Sequence, residues 1–287
     1  MTLRTAGLAA AAMMAFAANS LLCRAALGAR AVDALTFTTV RLASGALVLA
    51  LLARSARGRS GGRGSFTAWP LGAALFAYAL GFSLAYTRIT AGVGALLLFG
   101  AVQVTMIGRG LVAGERPSRR EWLGLGIALA GLVGLTLPGL AAPDPVGAAF
   151  MLAAGVAWGI YSLGARAGGQ PLAANAASFA CSVPLALVAQ GVGFLTIPPK
   201  LTATTTTAGI VLAVTSGAIT SGLGYAVWYA AVRGLTAAQA AIVQLSVPPL
   251  AALGGVALLG EALGARLMLS GAAVLGGIAV AFAARRR

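Results

Sequence analysis

The residues that could carry acid–base or metal chemistry are few, and their positions do not suit an enzyme. The 287-residue chain has no histidine and only five acidic residues. They fall in predicted loops or at the ends of apolar segments and are Asp33, Glu115, Glu121, Asp144 and Glu261. Catalysis needs a nucleophile with acid or base groups beside it, and a metal site needs several ligands at suitable spacing. The sequence therefore predicts no enzymatic activity, no cofactor and no metal site.

A second set of residues is suited to binding, because amide, hydroxyl and aromatic side chains stand near the centres of long apolar segments. A buried amide or hydroxyl needs a hydrogen-bond partner, and aromatic rings offer area and stacking to a large apolar group. The candidate substrate-binding residues of this kind are Asn19, Tyr78, Phe82, Gln103, Trp158, Tyr161, Trp228, Gln244 and Ser246. This mixture can hold an ammonium and a carboxylate together, which favours a zwitterionic amino acid.

Arg41 is the tenth candidate, since it stands near the middle of an apolar segment, where an arginine is costly and functional by default. Two interpretations stay open. The favoured one is a structural clamp onto helix-end carbonyls, and the alternative is contact with the carboxylate of a substrate. No segment has an acidic residue at its middle, which disfavours a cationic substrate.

Each of these residue types also has a structural explanation. Tyrosine and tryptophan near segment ends usually form interfacial belts, which is the expectation for Trp69, Trp122 and Tyr86. Serine and threonine in membrane helices often bond their own backbone. Gln103 and Gln244 either face a cavity or bond a neighbouring helix.

The composition indicates that lipid is the solvent for these segments. Hydrophobic residues make up 60% of the chain and charged residues 9%, against roughly 25% charged in soluble domains. About 20 apolar residues span a bilayer, and ten such segments are predicted. They are 5–27, 32–53, 66–87, 90–112, 121–138, 146–166, 172–195, 206–232, 236–259 and 264–284. The fold class predicted is an all-α polytopic membrane protein.

An internal repeat divides the chain into halves. The stretch 90–115 begins with Thr-Ala and ends with Gly-Glu, and the stretch 236–261 does the same. The predicted halves are residues 1–140 and 141–287, with five helices each. Because five is odd, the second half enters the membrane from the opposite side, so the two repeats are inverted.

The basic residues predict the orientation of the chain. With both termini in the cytoplasm, thirteen arginines lie on the cytoplasmic side and five arginine or lysine residues on the other. This distribution follows the positive-inside rule. The net charge of +15 is therefore interpreted as topology, and binding of nucleic acid is not expected.

Several short motifs resemble the ten-helix drug/metabolite transporter superfamily, specifically its EamA-type exporters. They are Gly114-Glu115-Arg116-Pro117, Leu259-Gly260-Glu261, Arg41-Leu42 and Trp158-Gly159. The first half departs from the family pattern, with Phe16-Ala17 where Trp-Gly is frequent. The sequence is most similar to the bacterial aromatic amino acid exporter branch. The resemblance implies a multi-pass protein of the bacterial inner membrane, with a cavity lined by helices 1, 3, 4, 6, 8 and 9.

The function predicted is export, by alternating access, of small neutral or zwitterionic metabolites, with amino acids, aromatic ones included, as the favoured substrates. The expected partners are that small molecule and the lipid bilayer, with no nucleic acid, and the chain is expected to be a monomer or a weak homodimer. Two alternatives stay open. One is a carrier of phosphorylated metabolites or nucleotide sugars, and the other is a membrane scaffold that transports nothing.

Overall fold

The structure, a computed structural model, describes residues 2–56, 68–112, 114, 118–137, 142–166, 171–196, 198, 204–235 and 243–284. Within these ranges the chain is all helical and contains no strand. The ten helices run in order as α1 Leu3–Gly28, α2 Ala34–Ala56, α3 Ala68–Tyr86, α4 Ala91–Val112, α5 Arg119–Thr136, α6 Pro145–Arg166, α7 Pro171–Thr196, α8 Thr207–Val232, α9 Val247–Leu259 and α10 Ala265–Ala284.

Side-chain caps fix the start of five of these helices, including α2, where Asp33 accepts from the Thr36 amide at 2.9 Å, and α6, where Asp144 accepts from the Gly147 amide at 2.7 Å. Thr2 accepts from the Thr5 amide at 3.2 Å, and Thr206 accepts from the Gly209 amide at 3.1 Å. At α5, Ser118 and Glu121 form a capping box, in which each side chain accepts from the backbone amide of the other residue. Such caps satisfy amides that the first turn of a helix leaves unpaired.

Two helices differ from the prediction. The segment 206–232 forms a single helix as predicted, but Ser216–Leu223 in its middle is π-helical. The described part of the segment 236–259 is helical mainly over Val247–Leu259, with Pro248 and Pro249 in the first turn. Proline is tolerated there because the first turn has no internal partner for its amides. The two prolines thus begin a helix after the turn at residues 245–246, and residues 236–242 lie outside the described ranges.

Among the residues that the structure describes, seven helices, α1 to α4 and α6 to α8, are long and apolar enough to cross a membrane. The outward faces carry exposed apolar side chains, for example Ile127 on α5, Val188 on α7 and Leu269 on α10. Polar side chains such as Asn19, Ser221 and Gln103 are buried instead. An apolar exterior around a partly polar interior is the arrangement that a lipid environment requires.

Helix packing follows a regular pattern. α1 packs on α8 and α9, and α6 packs on α3 and α4. α2 packs on α8, and α7 packs on α3. The remaining large contacts pair α2 with α7, α4 with α9 and α5 with α10. These contacts are symmetric between the two halves when α1 to α5 are matched in order with α6 to α10. For example, the contact of α1 with α8 corresponds to the contact of α6 with α3.

The α5–α10 contact depends on glycines, which allow the two backbones to approach each other closely. A Cβ added to Gly277 would lie 2.5 Å from the Gly124 carbonyl oxygen and 2.6 Å from the Ala128 amide nitrogen. A Cβ on Gly131 would lie 2.9 Å from the Val274 nitrogen. Close backbone approach therefore joins the outermost pair of helices to each other.

Candidate functional site

Aromatic rings from both halves of the chain meet at the centre of the helix bundle. Trp158 on α6 lies 4.7 Å from Tyr78 on α3 and 5.1 Å from Tyr225 on α8, between ring centroids. Tyr78 lies 5.4 Å from Phe82, and Tyr225 lies 5.7 Å from Phe16 on α1. These tilted and edge-to-face contacts are the arrangements that aromatic quadrupoles favour. Trp158 thus contacts rings of both α3 and α8.

Two small cavities adjoin these rings. The first, called here the Asn19 cavity, is lined by Phe16, Asn19, Ser20, Tyr78, Phe82, Leu98, Phe99, Trp158 and Tyr225. The second, called the Gln244 cavity, is lined by Val102, Met106, Trp158, Ser162, Tyr225, Trp228, Tyr229 and Gln244. Trp158 and Tyr225 belong to both linings. The two cavities therefore share two aromatic rings.

The π-helical part of α8 positions the polar wall of the Asn19 cavity. Ser216 donates to the Asn19 side-chain oxygen at 2.7 Å, and Thr220 donates to the same oxygen at 3.1 Å. All three side chains are buried. π-helical turns occur frequently at functional sites, and here the wider turn faces Asn19 with both hydroxyls. The carboxamide of Asn19 is thus held in one orientation beside the cavity.

Arg41 on α2 lies just behind the same cavity, with 1% of its surface exposed. Its Nη2 donates to the Tyr78 hydroxyl at 2.9 Å, and its Nε donates to the Ser221 hydroxyl at 3.3 Å. The guanidinium carbon lies 4.9 Å from the ring centroid of Phe82 and 5.2 Å from that of Tyr78. Nη1 is buried and has no hydrogen-bond partner. The hydrogen bonds of Arg41 therefore end on side-chain hydroxyls, which differs from the favoured expectation of a clamp onto helix-end carbonyls.

Close backbone contact holds α2 against the π-helical segment. A Cβ added to Gly217 would overlap the Arg41 carbonyl oxygen and the Ser44 hydroxyl. Only a residue without a Cβ fits at this position, so Gly217 sets the distance between Arg41 and α8.

A network at one end of the bundle joins four helices. Glu261, just beyond α9, accepts from Arg24 Nε at 2.9 Å and from the Ala91 amide, at the start of α4, at 2.8 Å. Arg24, on α1, also donates to the Tyr86 carbonyl at 3.0 Å, at the end of α3. Glu261 thus lies at a helix end as predicted, and it also caps the neighbouring helix α4. Glu115, its counterpart in the repeat, lies outside the described residues.

Most of the predicted site residues lie around the two cavities. Asn19, Tyr78, Phe82 and Trp158 line the first, and Trp158, Trp228 and Gln244 line the second. Gln103, Tyr161 and Ser246 line neither cavity. Tyr161 is fully buried and donates to the side-chain oxygen of Asn175 on α7. The Ser246 hydroxyl donates to the backbone carbonyl of Val243 at 2.7 Å. Gln103 is buried on α4.

The belt interpretation is wrong for one of its three residues. Trp69 and Trp122 are each 51% exposed, as expected at an interface, whereas Tyr86 is fully buried. The Tyr86 ring packs edge-on against Phe82 at 4.7 Å, and its hydroxyl donates to the Ala91 carbonyl at 3.3 Å. Tyr86 lies at a helix end, but that end is covered by α4.

Sequence reasoning missed part of the lining. Phe16 gave a usable signal, because it occupies the place in the first half that Trp158 occupies in the second. Leu98, Phe99, Val102 and Met106 gave none, since apolar residues are ordinary in such segments. Ser216, Thr220 and Ser221 became recognisable only through the π-helical turn that brings them together.

The fold and the central cavities define a multi-pass helical membrane protein of the transporter type. The chain belongs to the EamA-like transporter family, whose model matches residues 3–137 and, separately, residues 145–283. It is 51% identical to the uncharacterized protein PA1977 of Pseudomonas aeruginosa over 289 residues, which covers 98% of this chain and 96% of that protein. A crystal structure of a protein with 22% identity superposes with a TM-score of 0.66, over 96% of this chain and 97% of the other. That likeness concerns the fold alone.

Proposed function

We propose that this protein exports small neutral or zwitterionic metabolites across the bacterial inner membrane, with amino acids, aromatic ones included, as the favoured substrates. The observation that carries the proposal is the pair of cavities at the centre of the bundle, whose shared wall is Trp158 and Tyr225. Binding sites of transporters built from inverted repeats lie in such a place, between the repeats at mid-membrane.

Two observations support an architecture of two inverted repeats, residues 1–140 and 141–287, with ten membrane helices and both termini in the cytoplasm. The family model matches the two halves of the chain separately. The helix contacts are also preserved when each helix is exchanged with the one five positions away. An odd number of helices in each repeat then gives the second repeat the opposite orientation.

The lining favours an uncharged or zwitterionic substrate with an apolar or aromatic side chain. Rings supply most of the walls, and Asn19 and Gln244 supply carboxamides. Among the residues that the structure describes, neither cavity is lined by an acidic side chain. A permanently cationic substrate would therefore lack a counter-charge there. No cofactor is needed for this function, and a monomer or weak homodimer suffices.

Alternating access requires one end of the cavity to be closed while the other opens. The joint made by Arg24, Glu261, Ala91 and Tyr86 ties α1, α3, α4 and α9 together at one end. In the proposed orientation this end is periplasmic. We infer that these bonds separate when the periplasmic end opens.

Counterflow in liposomes tests the proposed function. Purified protein is reconstituted into vesicles loaded with one unlabelled amino acid, and entry of the same labelled amino acid is followed across a panel. We expect flux for large neutral amino acids. Flux of a phosphorylated compound without any amino acid would favour a phosphorylated-metabolite or nucleotide-sugar carrier. No flux of either class would favour the scaffold alternative.

A matched pair of tryptophan variants locates the site. Trp158→Ala removes the ring shared by both cavities, and we expect it to lose most of the flux. Trp69→Ala removes a half-exposed tryptophan on the outer face of α3 and should transport normally. Equal flux in the two variants would show that Trp158 does not contribute to substrate binding.

A further inference from the structure

Arg41 carries a buried positive charge that the described part of the protein does not neutralise. The ion pairs among the described residues are Arg24 with Glu261 and Arg88 with Asp144, and neither involves Arg41. Asp33, near the start of α2, accepts from the Thr36 amide at 2.9 Å. A guanidinium does not lose its proton in a protein, so Arg41 stays charged at this depth. Buried charges are ordinarily paired.

The hydrogen bonds of Arg41 leave part of the guanidinium available. The Tyr78 hydroxyl accepts a hydrogen bond from Nη2, and the Ser221 hydroxyl accepts one from Nε. Nη1 has no hydrogen-bond partner. The rings of Phe82 and Tyr78 stabilise the charge from the side, but each such contact contributes only about 0.5–2 kcal/mol. An unpartnered donor on a buried cation destabilises the folded protein. An acceptor bound at Nη1 would therefore lower the free energy of the protein.

The arginine is adjacent to the cavity through two of the cavity's own residues. Tyr78 and Phe82 line the Asn19 cavity, and the same two rings lie beside the guanidinium. A ligand in this cavity is therefore separated from Arg41 only by these side chains. With Tyr78 turned aside, Nη2 would lose its acceptor and join Nη1 as a donor without a partner, and two parallel N–H donors match the two oxygens of a carboxylate.

We propose that Arg41 is the carboxylate subsite of this protein, which rests on the proposed function as an exporter of small metabolites. The transported molecule carries a carboxylate, which binds Arg41 through its two nitrogens after Tyr78 turns aside. The rest of the molecule lies among Trp158, Tyr225 and Phe16. The charge of the bound carboxylate then neutralises a cation that the described residues leave unpaired.

The second half offers no comparable group at the equivalent place, which makes the subsite one-sided. The offset between the halves is 142 residues for Phe16 and Trp158 and 146 for Thr90 and Thr236, so the counterpart of Arg41 lies within 183–187 on α7, a stretch without a charged residue. One such subsite can fix the orientation of a zwitterion in the cavity. It can also discriminate acids from their amides, because the amide leaves the arginine without a counter-charge.

A binding measurement that does not depend on transport tests the subsite. Detergent-purified protein is titrated with phenylalanine and phenylalaninamide, and with benzoate and benzamide, and the thermal melting temperature is recorded. We expect the wild-type protein to prefer each acid over its amide by about tenfold or more, the range for a hydrogen bond to a charged group. Equal stabilisation by acid and amide would overturn the proposal.

Three variants then assign the preference to Arg41. Arg41→Gln should lose the preference for acids, and Arg41→Lys should keep part of it, because lysine retains the charge without the planar fork. Arg88→Gln is the matched control, because it removes one positive charge from a half-exposed pair, and it should keep the full preference. If Arg41→Gln does not fold, Arg41→Lys and the wild-type comparison still decide the question.

Two further outcomes separate this proposal from others. Stabilisation by sodium chloride that equals the stabilisation by benzoate would contradict a carboxylate subsite and indicate a general anion site. Amino acid counterflow that is equally fast for wild type and Arg41→Gln, with no acid preference in binding, would overturn the subsite while leaving the proposed transport function intact. Absence of all counterflow together with a clear acid preference would overturn the transport function instead.

Discussion

Two arginines in the interior of this protein have opposite surroundings. Arg24 lies at one end of the bundle, where its Nε contacts the Glu261 carboxylate at 2.9 Å and its Nη1 contacts the Tyr86 carbonyl at 3.0 Å. Arg41 lies deeper, among the hydroxyls of Tyr78 and Ser221 and two aromatic rings, with one nitrogen unpartnered. The first cation is paired with a carboxylate, whereas the second has no ion-pair partner among the described residues and keeps a buried nitrogen without a hydrogen bond.

The comparison separates structural from functional charge. Arg24 and Glu261 neutralise each other and join four helix ends, so their arrangement is explained by the fold. Arg41 is a buried cation without an ion-pair partner among the described residues, and it lies beside Tyr78 and Phe82 of the cavity lining, so we propose that a ligand explains its arrangement. We therefore expect substitutions at the two places to affect different properties, namely stability at the first and ligand selectivity at the second.

The largest effect on stability is expected for Glu261→Gln. This change leaves Arg24, which is 24% exposed at its side chain, with a neutral partner and weakens the cap on the Ala91 amide. Loss of one partner of a largely buried ion pair costs about 3 kcal/mol. Thermal unfolding in detergent measures the effect, and a melting temperature equal to that of the wild type would show that the pair does not hold the four helix ends together.

A somewhat smaller loss is expected for Gly217→Ala. The added methyl group would overlap the Arg41 carbonyl and the Ser44 hydroxyl, so α2 and α8 must move apart, at a cost of about 1–3 kcal/mol. Gly126→Ala on α5 is the matched control, because nothing lies within 4 Å of its added Cβ. The unfolding temperatures of the two variants are compared, and equal values would contradict close packing between α2 and the π-helical turn.

The Tyr78→Phe variant tests how much the hydrogen bond from Arg41 to the Tyr78 hydroxyl contributes to stability. The ring is kept, but Nη2 loses its 2.9 Å acceptor, so two nitrogens of a buried cation lack partners. We expect a loss of about 1–2 kcal/mol in the absence of ligand and recovery of part of it when phenylalanine is added. Thermal unfolding with and without phenylalanine measures both values, and a ligand effect no larger than in the wild type would count against a role for Tyr78 in covering the subsite.

The smallest effect is expected for Asp144→Asn. Its partner Arg88 is 3.5 Å away, and the two side chains are 34% and 49% exposed. Exposed pairs of this kind contribute about 0–1 kcal/mol. A change in melting temperature as large as that of Glu261→Gln would contradict the distinction between the two ion pairs.

The sequence was sufficient for the helical fold, but its candidate site residues include only six of the fifteen residues that line the two cavities. Trp158, Tyr78 and Asn19 were candidates because polar and aromatic side chains in long apolar segments need a reason to be there, and the structure places all three beside the Asn19 cavity. The sequence was not sufficient for residues whose role depends on backbone geometry. The π-helical turn of α8 has no marker in the sequence, whereas the start of α9 at Val247 coincides with Pro248 and Pro249.

The sequence also did not predict which side chains contact each other. The repeat marked Glu261 as the end of a helix, but only the structure shows that it binds Arg24 from α1 and caps α4. Tyr86 was expected at the lipid interface because it ends a segment, yet α4 covers it. Contacts between residues far apart in the chain depend on how helices are arranged around each other, which hydrophobic periodicity does not determine.

The most direct test of the central claim is a structure of the protein bound to 4-bromophenylalanine, with the bromine located by its anomalous scattering. The account predicts bromine among the rings of Trp158, Tyr225 and Phe16, with the carboxylate of the ligand within hydrogen-bond distance of Arg41 and the Tyr78 side chain turned aside. Bromine located elsewhere in the protein, or a ligand in this cavity whose carboxylate points away from Arg41, would contradict it.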